Sequence, residues 1–139
     1  MAEQFNTVIK DLFKTFKDLP SGFKSKLHIT ELQSKMIAGM RTEPEYAIAV
    51  LGPHLWAARA EIARRDANFF LTRRYEVDLQ RMCREHDVCY DDAINTVTFM
   101  KDAYRSAPDA TKTLVMDKLT ELLKIVAARE LAKRTPAKK

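Results

Sequence analysis

Phe5-Asn6-Thr7-Val8-Ile9-Lys10-Asp11-Leu12-Phe13-Lys14-Thr15-Phe16-Lys17-Asp18-Leu19 is the stretch that decides the fold. Its apolar residues, Phe5, Val8, Ile9, Leu12, Phe13, Phe16 and Leu19, recur at intervals of three and four, the spacing that lines one face of a helix. Pro20-Ser21-Gly22 ends the segment, because proline cannot continue the hydrogen-bond ladder and disfavours helical geometry in the residue before it.

The same spacing recurs toward the C-terminus. Leu27, Leu32, Met36, Ile37 and Met40 predict a second helix between Phe23 and Met40, with Thr30 and Gln33 as a capping box inside the stretch. Thr42-Glu43-Pro44-Glu45 reads as a cap, an acidic first turn and an early proline, opening a short apolar helix of Tyr46, Ile48, Ala49, Val50 and Leu51 that Gly52-Pro53 should break or kink. Leu55, Trp56, Arg59, Ile62 and Ala63 read as a further helix. Asp66 caps the next, which carries Phe69, Phe70, Leu71 and Tyr75, and Val77, Leu79, Met82 and Cys83 continue the apolar pattern. Asp91 or Asp92 opens a helix through Ile94, Val97, Phe99, Met100 and Tyr104, and Ser106-Ala107-Pro108-Asp109 punctuates it. Last comes a long helix of Leu114, Val115, Leu119, Leu122, Leu123, Val126 and Leu131, with an Asp-capped start and a Lys/Arg-rich end that suits the helix dipole.

These segments predict an all-α protein, a compact irregular bundle of six or seven helices joined by short connections, with no repeat period of a solenoid. The chain has 139 residues, the size of one domain, and its 46% hydrophobic content supports a packed interior. Three glycines, Gly22, Gly39 and Gly52, leave few sites for tight turns or phosphate-cradling loops. Residues 1–132 are read as a single helical domain and 133–139 as a flexible basic tail broken from the last helix at Pro136. Lys133, Arg134, Lys138 and Lys139 carry four of the positive charges; without them the net charge of +5 falls to +1, so the basic character belongs to the tail. No apolar run is long enough for a membrane span and the N-terminus lacks a signal-peptide layout, so an intracellular protein is expected, in the cytoplasm or in a particle made there.

Chemistry is sparsely marked. Cys83-x-x-His86-x-x-Cys89 offers three soft or borderline metal ligands, but a structural zinc site wants four, and the remaining candidates are His28, His54 or Asp87. Buried small thiols are the simpler reading, and the pair is expected to be reduced. The same residues could form a Cys–His dyad, yet no orienting partner or oxyanion turn accompanies them. The acid pairs Asp91-Asp92 and Glu43/Glu45 sit where helix starts favour negative charge. No enzyme activity, metal or cofactor is therefore expected.

The centre of the chain is rich in arginine: Arg59, Arg64, Arg65, Arg73, Arg74, Arg81 and Arg84 alternate with Glu61, Asp66, Glu76, Asp78 and Glu85. Mixed signs at helical spacing usually mean a solvated, salt-bridged face. The functional alternative places Arg64, Arg65, Arg73 and Arg74, flanked by Phe69, Phe70 and Tyr75, against phosphates or an acidic partner. Met36, Met40, Met82, Met100 and Met116 are read as core filler.

Phe13-Lys14-Thr15-Phe16-Lys17-Asp18-Leu19-Pro20 and Ile62-Ala63-Arg64-Arg65-Asp66-Ala67-Asn68-Phe69-Phe70-Leu71, with the helix after Ser106, resemble short all-helical proteins of large nucleocytoplasmic DNA viruses. The acidic turn of that group is replaced here by Leu19-Pro20-Ser21-Gly22. The resemblance implies a viral accessory or virion-associated protein and carries over no catalytic residue. Taken together, the leading expectation is a non-enzymatic interaction or structural module that binds a protein partner or itself. The alternative is nucleic-acid binding through the tail and the Arg64, Arg65, Arg73 and Arg74 set, and the third is an enzyme or metal site around Cys83 and His86.

Overall fold

The computed structural model describes residues 2–19, 23–86 and 88–134, the side chains of residues 23–28 and 134 excepted. These residues form eight helices and no strand: α1 (Ala2–Lys17), α2 (Phe23–Thr42), α3 (Tyr46–Ala57), α4 (Arg59–Ala63), α5 (Ala67–Thr72), α6 (Glu76–His86), α7 (Tyr90–Ser106) and α8 (Asp109–Arg134). The all-α bundle expected from periodicity is present. Its helix count exceeds seven because the short α4 and α5 are separate elements. Among the described residues no helix is long and apolar enough to cross a membrane.

The apolar stripe of α1 does what its spacing dictates: Phe5, Val8, Ile9, Phe13 and Phe16 are all buried. They meet Ile29, Met36 and Met40 of α2, Ala47 and Ile48 of α3, Phe99 and Ala103 of α7, and Val115, Leu122 and Val126 of α8 in one continuous core. Each large side chain buried there contributes about 1.5–3 kcal/mol. α8, about 39 Å long at 1.5 Å per residue, is the spine, packing along α1, α3 and α4. A smaller cluster joins α6 to α7: Leu79, Cys83, Val88 and Ala93 are buried, with Tyr75, Met82, Tyr90, Ile94 and Val97 around them. α6 packs chiefly against α7.

Several local expectations are corrected. α2 begins at Phe23, so Thr30 and Gln33 lie within it instead of capping it, and Gln33 accepts a bond from Lys17 Nζ at 3.0 Å. Thr42 ends α2, bonding back to the Ala38 carbonyl at 3.2 Å, while Glu45 is the residue before α3 and makes no side-chain cap. α3 runs through Gly52-Pro53 to Ala57. Proline removes one donor and crowds the carbonyl four residues back, but the long apolar face of α3 is anchored by Ala47, Ile48 and Val50, and Gly52 lies buried against α8 near Val126. The chain turns instead at Ala58, so Leu55 and Trp56 belong to α3 and Ile62 to α4.

Asp66 caps α5 as expected, accepting from the Phe69 N–H at 3.2 Å. α5 ends at Thr72, before Tyr75, because Arg73 is extended. The position before α7 is Cys89; Asp91 and Asp92 lie in its first turn, where their charge faces the exposed N–H groups. Val77, assigned to the apolar pattern, is 69% exposed, and Leu114 and Leu131 of α8 are 42% and 67% exposed. α8 extends to Arg134, so Lys133 is on an exposed helical turn. Lys138, Lys139 and Pro136 lie outside the described residues.

Candidate interaction surface

The two arginine doublets have different fates. Ile62 is fully buried and fixes α4, whose end falls at Arg64. Arg65 then adopts a left-handed backbone with φ 55°, and the Asp66 N–H reaches the Glu61 carbonyl at 2.9 Å, the bond that closes a helix end where glycine usually stands. A side chain in that region costs about 1–2 kcal/mol. Arg65 offsets part of this by spanning to α8, with Asp117 at 3.0 Å and the Thr113 carbonyl at 3.3 Å. Arg64 pairs with Glu61 at 3.2 Å on the surface.

Arg73 is enclosed more fully. Its guanidinium meets Asp78 at 2.8 Å and lies over the rings of Phe69 and Tyr75, at 5.4 and 5.7 Å from their centroids. The Arg73 guanidinium holds the Asp78 carboxyl below its ordinary range. Burial pushes the Tyr75 phenol up, and its hydroxyl donates to the Phe70 carbonyl at 3.2 Å. α7 clamps the same connection: Lys101 Nζ donates to the Arg73 carbonyl at 2.7 Å and Arg105 to the Leu71 carbonyl at 3.0 Å. Arg64, Arg65 and Arg73 are thus engaged within the molecule. Arg74 alone of the four is exposed with no ion-pair partner among the described residues.

Arg74 has neighbours that the doublets concealed. Val77, Arg81 and Arg84 follow it at intervals of three, four and three, all exposed, on the side of α6 opposite Leu79 and Cys83. Neither Arg81 nor Arg84 has an ion-pair partner among the described residues. On α6 an aliphatic side chain thus shares its exposed face with two arginines, and Arg74 lies exposed in the connection before the helix. The signal was in the sequence: inward-facing Leu79 and Cys83 fix the outward face by helical geometry. Assigning Val77 to the core hid it.

Cys83, His86 and Cys89 do not converge. Cys83 is buried beside Val88, whose N–H bonds the Cys83 carbonyl at 3.0 Å as α6 closes. Burial, with Cys89 nearby, raises the Cys83 thiol above its ordinary range, which disfavours the thiolate that nucleophilic or metal chemistry requires. His86 packs its ring edgewise on Tyr46 at 6.4 Å, and Cys89 is exposed before α7. No group of three His, Cys, Asp or Glu side chains able to hold a metal occurs among the described residues. Two open depressions flank this turn: one of about 300 Å³ lined by Gln80, Cys83, Arg84, Val88 and Tyr90, and one of about 380 Å³ lined by Glu31, Leu32, Lys35, Val88, Cys89 and Asp92.

No protein-family model, curated protein or solved structure matches the chain.

Proposed function

We propose that this protein is a non-enzymatic interaction or structural module that recognises a protein surface through the outer face of α6. The observation that carries the reading is the row Val77, Arg81 and Arg84 on α6, where Val77 is 69% exposed beside two guanidiniums with no ion-pair partner among the described residues. Arginine beside an apolar contact is the composition of interface anchors, because the planar guanidinium gives both packing area and directed bonds. A phosphate backbone would satisfy the arginines but leave Val77 without a partner, which favours protein over nucleic acid. Of the four central arginines of the nucleic-acid alternative, Arg73 is enclosed with Asp78, while Arg64 and Arg65 make exposed pairs with Glu61 and Asp117. A role as a viral or virion-associated component, implied by the segments 13–20 and 62–71, is compatible with such a module and is proposed on that resemblance alone.

The test compares two baits in one lysate: the wild-type chain and the triple variant Val77→Ser, Arg81→Ser, Arg84→Ser. All three positions are exposed, so the variant should keep the helical far-UV circular dichroism of the parent. Proteins retained by the wild type and lost with the variant support the reading. Equal retention on both baits, or none on either together with a strictly monomeric chain, contradicts it.

A further inference from the structure

α8 carries an exposed row of its own. Leu114, 42% exposed, is followed by Asp117 and Glu121 on the side of α8 turned away from the buried Val115, Leu122 and Val126. Asp117 makes only a surface pair with Arg65, the two side chains being 54% and 42% exposed, and Glu121 has no ion-pair partner among the described residues. Val77, Leu114 and Leu131 are the large hydrophobic residues exposed among those described. Val77 shares its face of α6 with Arg81 and Arg84, and Leu114 shares its face of α8 with Asp117 and Glu121.

The two rows match in spacing as well as in sign. On α6 an aliphatic residue is followed four and seven positions later by Arg81 and Arg84; on α8 one is followed three and seven positions later by Asp117 and Glu121. Residues at such intervals lie within one face and one or two turns of each other. Laid side by side in the same direction, the helices bring Val77 to Leu114, Arg81 to Asp117 and Arg84 to Glu121. Beside them Glu85 of α6 and Lys124 of α8, both exposed, fall on the same flank of the contact.

We propose that the chain associates with a second copy of itself, the Val77-Arg81-Arg84 face of α6 docking on the Leu114-Asp117-Glu121 face of α8. The inference rests on α6 being the recognition face and names its partner. Because the two faces differ, the contact either closes about a two-fold axis, with α6 of each copy on α8 of the other, or repeats until it closes a larger ring or extends a filament. Arg65 gives up an exposed ion pair of small worth when Asp117 turns to the neighbour. Opposed charges set the register, and the contact weakens as salt rises.

The experiment is sedimentation velocity over a concentration series, at low and high salt, with charge-reversed variants. Wild type should form dimers or larger species at low salt. Arg84→Glu and Glu121→Arg alone should each weaken association at least about tenfold, since like charges then face each other. Mixing the two variants, or combining them in one chain, should restore it, which also shows that neither substitution harmed the fold. A wild type that stays monomeric up to about 1 mM, the weak end of the affinity scale, overturns the inference, as does a mixture that fails to restore association. If self-association fails while proteins retained by the wild type are still lost with the α6 variant, only the partner named here is wrong. If neither is seen, the recognition face itself is wrong.

Discussion

Gly39 offers a test in which two opposing terms can be separated. It lies within α2 where Tyr46, at the start of α3, crosses it: a Cβ at Gly39 would stand 2.5, 2.7 and 2.8 Å from the Cδ2, Cε2 and Cγ atoms of the Tyr46 ring. Helix propensity favours Gly39→Ala by about 0.8–1.0 kcal/mol. Steric conflict opposes it, because the ring is also packed edgewise on His86 and its nearest atoms are not a flexible tip. Forcing a methyl into a filled site costs about 1–3 kcal/mol. The conflict wins, and the net loss reaches up to about 2 kcal/mol; with a urea slope of about 1–3 kcal/mol/M, a loss of that size lowers the unfolding midpoint by about 0.7–2 M. In a Tyr46→Ala background the conflict disappears and the same substitution should raise the midpoint, a reversal of sign that measures the coupling directly. Urea titrations of the four proteins followed by circular dichroism decide it. A Gly39→Ala chain more stable than wild type would refute the close approach of α2 and α3.

Four further outcomes are expected. Leu122→Ala, at a position 1% exposed in the middle of α8, should cost about 2–5 kcal/mol, a large part of a typical domain's stability, read as a lower melting temperature. Thr96→Val should stabilise by about 1 kcal/mol, because the Thr96 hydroxyl is buried without a partner among the described atoms and an unmet polar group costs about 1–3 kcal/mol; destabilisation would mean that the hydroxyl is bonded. Asp78→Asn should lower stability at neutral pH and lose that effect in acid. The Asp78 carboxyl titrates lower in the folded chain than unfolded, so its contribution is complete above the unfolded value of about 3.9 and vanishes as pH falls through the folded value. Iodoacetamide at neutral pH should modify exposed Cys89 first and buried Cys83 only on unfolding, as peptide mass spectrometry would show.

The bundle was legible because its core residues announce themselves by repetition. Of the six apolar residues that recur at helical spacing from Phe5 to Phe16, Phe5, Val8, Ile9, Phe13 and Phe16 are buried and Leu12 is partly buried against them. Connections were less legible, because tertiary packing overrode local preference: α3 passes through Gly52-Pro53 since its apolar side is held against the core, and Arg65 stands where glycine is usual since its side chain reaches α8. Periodicity also cannot mark where an apolar stripe stops being covered. Leu114 and Leu131 continue the pattern of α8 yet face outward, because α8 is apolar on more than one side. The arginine centre was visible as composition, but which guanidiniums are engaged depends on Asp78, Asp117 and the carbonyls that α7 clamps. None of these partners can be assigned before the helices are placed.

Methyl resonances report on the two proposed contact rows without any substitution. Over a concentration series at low salt, the Val77 and Leu114 methyl signals should shift together, while those of Ile48 and Ile62, buried at 1% and 0% exposure, stay fixed. Stationary Val77 and Leu114 signals across the whole range, or shifts centred on other methyls, would contradict recognition between α6 and α8.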